Sequence, residues 1–185
     1  MGYALADELA GRGAAVTLVS GPVSLTPKNS KVEIVKVTTA AEMYHACLSL
    51  ADDYDIAIMA AAVADYTPAE VASQKIKKGG EDLSLILKKT KDILADLGNK
   101  KKARQVLVGF ALETDDGVSQ AAKKLKEKNA DLIVLNSLKD EGAGFGLDTN
   151  KVTLFYRDGK QKEVELKSKK ALAKDIVDAI TALGV

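Results

Sequence analysis

The sequence predicts an α/β fold: a Rossmann-like, mostly parallel sheet with helices on both faces and a C-terminal antiparallel hairpin. Three observations predict it. Short apolar runs alternate with segments whose apolar residues recur every three or four positions, the signature of βαβ units. The longest apolar run, residues 56–64, is nine residues long, which suits a buried strand and is about half of what spans a bilayer. Near the C-terminus Asp158-Gly159 separates two alternating runs, a hairpin signal because type I′ turns need positive φ.

Each element has a local reason. Residues 1–12 read as a helix, with Leu5 and Leu9 four apart and Gly13 closing it, and 15–19 as a buried strand. Residues 33–37 alternate as a strand, 39–52 are helical, and 56–63 form a continuous apolar strand. A short strand at 83–87 and a short helix at 92–97 precede strand 105–111, helix 116–128 and strand 131–135. The hairpin pairs 152–157 with 162–166. Ser168 then caps a last helix to about Ala182, with Leu172, Ile176, Val177 and Ile180 on one face.

Composition narrows the function. The 185 residues are 46% hydrophobic and 29% charged with three prolines, one globular domain over 1–185 without repeat or linker. Charge nearly cancels, 27 Lys+Arg against 26 Asp+Glu, which argues against a nucleic-acid or membrane-surface partner. The single Cys47 excludes an internal disulfide framework and points to a reducing compartment. With no basic-then-apolar leader at Met1, a soluble cytoplasmic protein is expected. Residues 75–128 hold 14 Lys+Arg and 8 Asp+Glu, a local excess of +6 (14 − 8). That excess suits a local anionic ligand, or else a solvated lysine surface, the ordinary reading of Lys100-Lys101-Lys102. Doubly wound nucleotide folds begin with a strand and a phosphate-binding turn, whereas this chain begins at the helix. A first strand and its loop are therefore expected upstream, leaving the domain N-terminally incomplete.

Several residues are candidates for chemistry. Small side chains in Ala60-Ala61-Ala62-Val63-Ala64-Asp65-Tyr66 would let a ribose or base approach the backbone, or would serve helix–sheet packing. Asp65 suits ribose hydroxyls, or is a turn residue. Lys75, Lys77 and Lys78 beside Gly79-Gly80 suit a mobile arm over phosphates, or are exposed loop lysines. Lys124 and Lys128 lie four apart on one helical face, where like charges repel by roughly 0.2–0.5 kcal/mol, so a shared phosphate would stabilise both. Phe110 suits base stacking or the core. His45 and Cys47, two apart on a helix, point to different faces and read as structural. No CxxC, HExxH, GxSxG, complete GxGxxG or P-loop occurs. Ser20 stands where a nicotinamide enzyme usually has an acid, which weakens an oxidoreductase reading.

In order along the chain, Ala60 to Tyr66, Lys75-Ile76-Lys77-Lys78, Lys91-Asp92-Ile93, Val108 to Thr114, and Lys124-Leu125 through Asp131 to Asn136 resemble phosphopantothenoylcysteine synthetase. Gly144-Phe145-Gly146 and residues 152–156 also fit, so the resemblance covers nearly the whole chain. It implies a CTP-dependent ligation of 4′-phosphopantothenate and L-cysteine through an acyl-cytidylate, with Mg²⁺ on the phosphates. It places nucleotide contacts at Ala61, Ala62, Asp65, Lys75, Lys91, Asp92, Ile93, Phe110, Lys124 and Lys128. The family's Asn for the acyl-cytidylate step would lie ahead of Met1, so no catalytic residue falls within the chain, which would bind CTP yet turn over poorly. The resemblance further implies a homodimer, with the terminal hairpin contributing to assembly, and a fused or associated flavin-dependent decarboxylase. The rival readings are a Rossmann-type NAD(P)-binding oxidoreductase fragment and a catalytically silent nucleotide-binding module.

Overall fold

The computed structural model describes residues 1–76, 83–113, 117–137 and 147–184. Along the chain the elements are α1 (Gly2–Gly11), β1 (Val16–Ser20), β2 (Val32–Lys36), α2 (Ala40–Ser49), β3 (Ile56–Met59), β4 (Tyr66–Pro68) and β5 (Leu87–Lys89). There follow α3 (Ile93–Lys100), β6 (Val106–Glu113), α4 (Gly117–Glu127), β7 (Leu132–Ser137), β8 (Thr149–Tyr156), β9 (Gln161–Ser168) and α5 (Lys169–Thr181). The central sheet has the order β3-β6-β7-β8-β9; β1-β2 and β4-β5 form separate pairs. Strands β3, β6 and β7 run parallel, as do β1 and β2, while β8 and β9 are antiparallel additions. The α/β class and the mostly parallel sheet are those expected.

Helices cover both faces. Leu5 of α1 and Leu172, Ile176, Val177 and Ile180 of α5 pack against Val106, Val108, Leu132, Val134, Val152 and Leu154. On the other face α4 supplies Ala121 and Leu125, and α3 supplies Ile93 and Leu97 with α2 beside it. The apolar stripe read from the last helix is fully buried, and Ser168 caps it by accepting the Ala171 amide at 3.2 Å. Helix α2 starts with a reciprocal cap: Thr39 Oγ1 accepts from the Glu42 amide, and Glu42 accepts from the Thr39 amide.

Three boundaries differ from expectation. Strand β3 ends at Met59, opposite Gly109, and residues 60–64 leave the sheet. Of their alanines only Ala60 packs, beside Gly2 at the start of α1, while Ala61, Ala62 and Ala64 are exposed. The strand expected at 83–87 lies at Leu87–Lys89, paired with β4, which carries a proline and was not anticipated. Alternation at 83–86 has no core to face, and Leu83, Leu85 and Ile86 stay exposed. At the hairpin only Gly159 has positive φ (86°), so the turn is not type I′. The Gly159 amide donates to the Tyr156 carbonyl at 3.0 Å and the Tyr156 amide to the Lys160 carbonyl at 2.9 Å, the pattern of a turn closed by a glycine bulge. Residues Lys77, Lys78, Gly79, Gly80, Thr114, Gly144, Phe145 and Gly146 of the motifs lie outside the described residues.

Candidate functional site

Parallel strands aim their carboxyl ends, and the loops that follow them, at one edge of the sheet. At that edge a cavity of about 1430 Å³ opens between β1 and β3 and reaches the loop after β3. Ala61, Ala62, Asp65, Lys91, Asp92, Ile93 and Phe110 all line it. Residues separated by up to 49 positions (110 − 61) thus meet around one space. Asp65, Ala61 and Ala62 are exposed there, open to a ligand.

The loop is held by a residue the sequence reading missed. Thr90 Oγ1 donates to the Ala64 carbonyl at 2.7 Å, and its amide donates to the Asp65 carbonyl at 2.9 Å. Both carbonyls lie about 25 residues away, so no local pattern marks Thr90. Lys91 Nζ sits 4.5 Å from the centroid of the Tyr44 ring, a cation–π contact supplied by α2. Tyr44 Oη in turn donates to Asp96 Oδ2 at 2.9 Å, a bond that holds its phenol pKa above the ordinary value, with burial adding to the effect.

The remaining expected residues divide. Asp92 is the N-cap of α3, accepting from the Ala95 amide at 2.9 Å, and it binds Lys128 Nζ at 2.7 Å. Burial works to raise its carboxyl pKa, but the bonds from Lys128 and Ala95 outweigh that, so the pKa lies below the usual value. Asp92 is therefore an anchor for Lys128 as well as part of the lining. Ile93 is only 7% exposed and belongs to the core with Leu97 and Leu107. Lys128 stands outside the lining but is tied to it through Asp92, and half-buried Lys124 lies one turn earlier on the same face. Lys75 is exposed on the segment after β4 and does not line the cavity.

The α3–α4 seam places Lys128. A Cβ at Gly98 would overlap the Lys128 carbonyl oxygen, so only glycine permits this approach. Asn129, with φ of 49°, donates from Nδ2 to the Gly98 carbonyl at 2.8 Å. Elsewhere, Ser20 is buried, with Oγ 2.8 Å from Tyr3 Oη and donating to the Gly21 carbonyl at 3.1 Å, which leaves it poorly disposed to receive a ribose. His45 packs edge-on to Tyr44 while Cys47 joins the α2–α3 core, so the pair forms no dyad; burial pushes the Cys47 thiol pKa up.

Comparison with known proteins decides the family. Residues 1–183 match the model for the DNA/pantothenate metabolism flavoprotein C-terminal domain. The chain belongs to that family. It is 50% identical to the coenzyme A biosynthesis bifunctional protein CoaBC of Bacillus subtilis, over 100% of this chain and 45% of that protein. It is also 50% identical to a protein named cysteine/cysteine sulfinic acid decarboxylase from an unknown prokaryotic organism, over 99% of this chain and 51% of that one. A crystal structure of the C-terminal domain of CoaBC superposes with TM-score 0.82 at 37% identity, covering 98% of this chain and 81% of that one. The chain spans about half the length of the curated relatives it matches. The ordered motifs had pointed to this same synthetase domain.

Proposed function

We propose that the chain is the phosphopantothenate–cysteine ligase domain of a coenzyme A biosynthesis protein, using CTP. The observation that carries the reading is the meeting of Ala61, Ala62, Asp65, Lys91 and Phe110 around one cavity at the carboxyl edge, with Lys128 held beside it by Asp92. A nucleotide fits this set: small residues admit the sugar, Asp65 accepts from its hydroxyls, Phe110 offers a ring, and ammonium groups neutralise phosphates.

The 4′-phosphopantothenate carboxylate attacks the α-phosphorus of CTP, the bond to pyrophosphate breaks, and an acyl-cytidylate forms. The amine of L-cysteine then attacks the acyl carbon, CMP leaves, and the amine loses a proton. No protein nucleophile is required. Catalysis rests on in-line positioning and on neutralising charge at the phosphates, the work assigned to Lys91 in the cavity and to Lys128 and Lys124 beside it. Among the described residues no group of three or more His, Cys, Asp or Glu is placed to hold a metal. Mg²⁺ would therefore be held chiefly by the phosphate oxygens of the nucleotide, where it would neutralise their charge.

Large apolar side chains stand exposed on the arm around β4 and β5, with Val71 at 92% and Ile86 at 80%. They support a homodimer assembled through this arm in addition to the terminal hairpin. Relatives named as bifunctional support an attached decarboxylase. Among the described residues no helix is long and apolar enough to cross a membrane.

The test is pyrophosphate release from CTP, with phosphopantothenate and cysteine omitted in turn, alongside CTP binding by calorimetry. The expected result is CTP binding that Lys128→Ala weakens about tenfold, as loss of one charge-assisted contact does. Unchanged affinity in that variant removes the phosphate role. NADH binding without CTP binding would restore the oxidoreductase reading.

A further inference from the structure

Lys91 and Lys128 carry the same charge and are held in different ways. The backbone of Lys91 is fixed on both sides. Before it, the Thr90 amide donates to the Asp65 carbonyl at 2.9 Å and Thr90 Oγ1 to the Ala64 carbonyl at 2.7 Å. After it, Asp92 caps α3 by accepting from the Ala95 amide. Lys91 and Asp65 therefore share one frame, and both line the cavity. What stays free is the four-carbon stem, and ordering such a stem on a ligand costs rotamer entropy.

Two carboxylates at the start of α3 are engaged elsewhere. Asp92 binds Lys128 Nζ at 2.7 Å, and Asp96 accepts the Tyr44 hydroxyl at 2.9 Å. Among the described residues Lys91 makes no ion pair; its Nζ lies 4.5 Å from the centroid of the Tyr44 ring. A ring face attracts a cation through its quadrupole without neutralising its charge, and the three N–H donors stay open to an anion. The ring is itself fixed. Tyr44 packs with Ile93 and Leu97 in the α2–α3 core, its hydroxyl is bound by Asp96, and the His45 ring stands at 84° to it.

We propose that Tyr44 is a positioning residue: its ring holds the Lys91 ammonium at the cavity wall, charged and unclaimed by a carboxylate, for a phosphate of the nucleotide. The inference rests on the CTP reading. An incoming phosphate meets a stem that is already ordered, so less freedom is lost on binding, and it has no carboxylate to displace. Tyr44 does not line the cavity, so it acts through Lys91 and not on the ligand.

The experiment measures CTP affinity by calorimetry on the full chain and on Tyr44→Leu, Tyr44→Phe, Lys91→Ala and the double variant Tyr44→Leu with Lys91→Ala. Urea unfolding checks that each is folded. Tyr44→Leu keeps apolar bulk without a ring face and should weaken binding about three- to fivefold, the size of an exposed cation–π contact. Tyr44→Phe should retain most of the affinity. In the Lys91→Ala background Tyr44→Leu should change nothing further, whereas a general loosening of the α2–α3 seam would weaken binding in both backgrounds. Unchanged or tighter binding in Tyr44→Leu, equal losses in the Leu and Phe variants, or additive losses in the double variant would each overturn the proposal. NMR reads the contact without ligand or variant: the Lys91 Hε protons should resonate upfield of their ordinary position, and an ordinary position overturns the proposal by itself. A chain that binds no CTP overturns the CTP reading and this inference together, whereas CTP binding indifferent to Tyr44 overturns this inference alone.

Discussion

Two groups of parallel strands in this protein have similar sequences and different fates. Strand β7 reads Leu-Ile-Val-Leu and β1 reads Val-Thr-Leu-Val. In β7, Leu132, Ile133 and Val134 are fully buried, whereas in β1 only Ser20 is buried and Thr17 is exposed. Residue type does not account for the difference. Among the described residues β7 has partners on both edges and helices on both faces, while β1 has a partner on one edge and the cavity on the other. Burial of a parallel strand is a property of its neighbours, and apolar sequence is only its precondition.

The largest expected effect tests that contrast directly. Leu132→Ala should cost about 2–5 kcal/mol by urea unfolding, the range for emptying a fully packed site. Leu18→Ala in β1 should cost about half as much, because its side chain is already partly exposed. Equal losses would break the comparison. Gly98→Ala attacks the packed block at its seam. In an ordinary helix this change stabilises by about 0.5–1 kcal/mol; against the Lys128 carbonyl it should instead cost about 1–3 kcal/mol, and the sign of the measured change decides. The smallest effect concerns the rim of the packed block. Asp92 has a folded pKa below its unfolded value near ~3.9, so its contribution is present above that pH and is lost as pH falls through the folded pKa. The pair is half exposed, so Asp92→Asn, which retains a capping side chain, should cost less than about 1 kcal/mol at neutral pH. That deficit should close in acid unfolding titrations. A deficit that persists at low pH would show that the ion pair is not its source.

Much of the fold was legible because it depends on local periodicity. The faces of α5, the Ser168 cap and the apolar runs of β6 and β7 are local facts. Residues 60–64 read as strand because apolar side chains in an exposed loop look the same in sequence as buried ones, and residues 83–86 because alternation without a core to face does not make a strand. At the site, Asp65 and Phe110 were recognisable from loop and strand ends, whereas Thr90, Tyr44 and Gly98 act on partners dozens of residues away. Asp92 lines the cavity as well as binding Lys128, and that bond crosses 36 positions that no motif spans.

The amino-acid order alone determined the α/β class, the places of most helices and strands, and the family, because periodicity and ordered motifs are written in one dimension. Only the tertiary structure decided which strands have two neighbours, which lysine is held by a carboxylate, and where the parallel sheet stands open. Those are outcomes of distant segments meeting, and pairing across distance leaves no mark on the residues between.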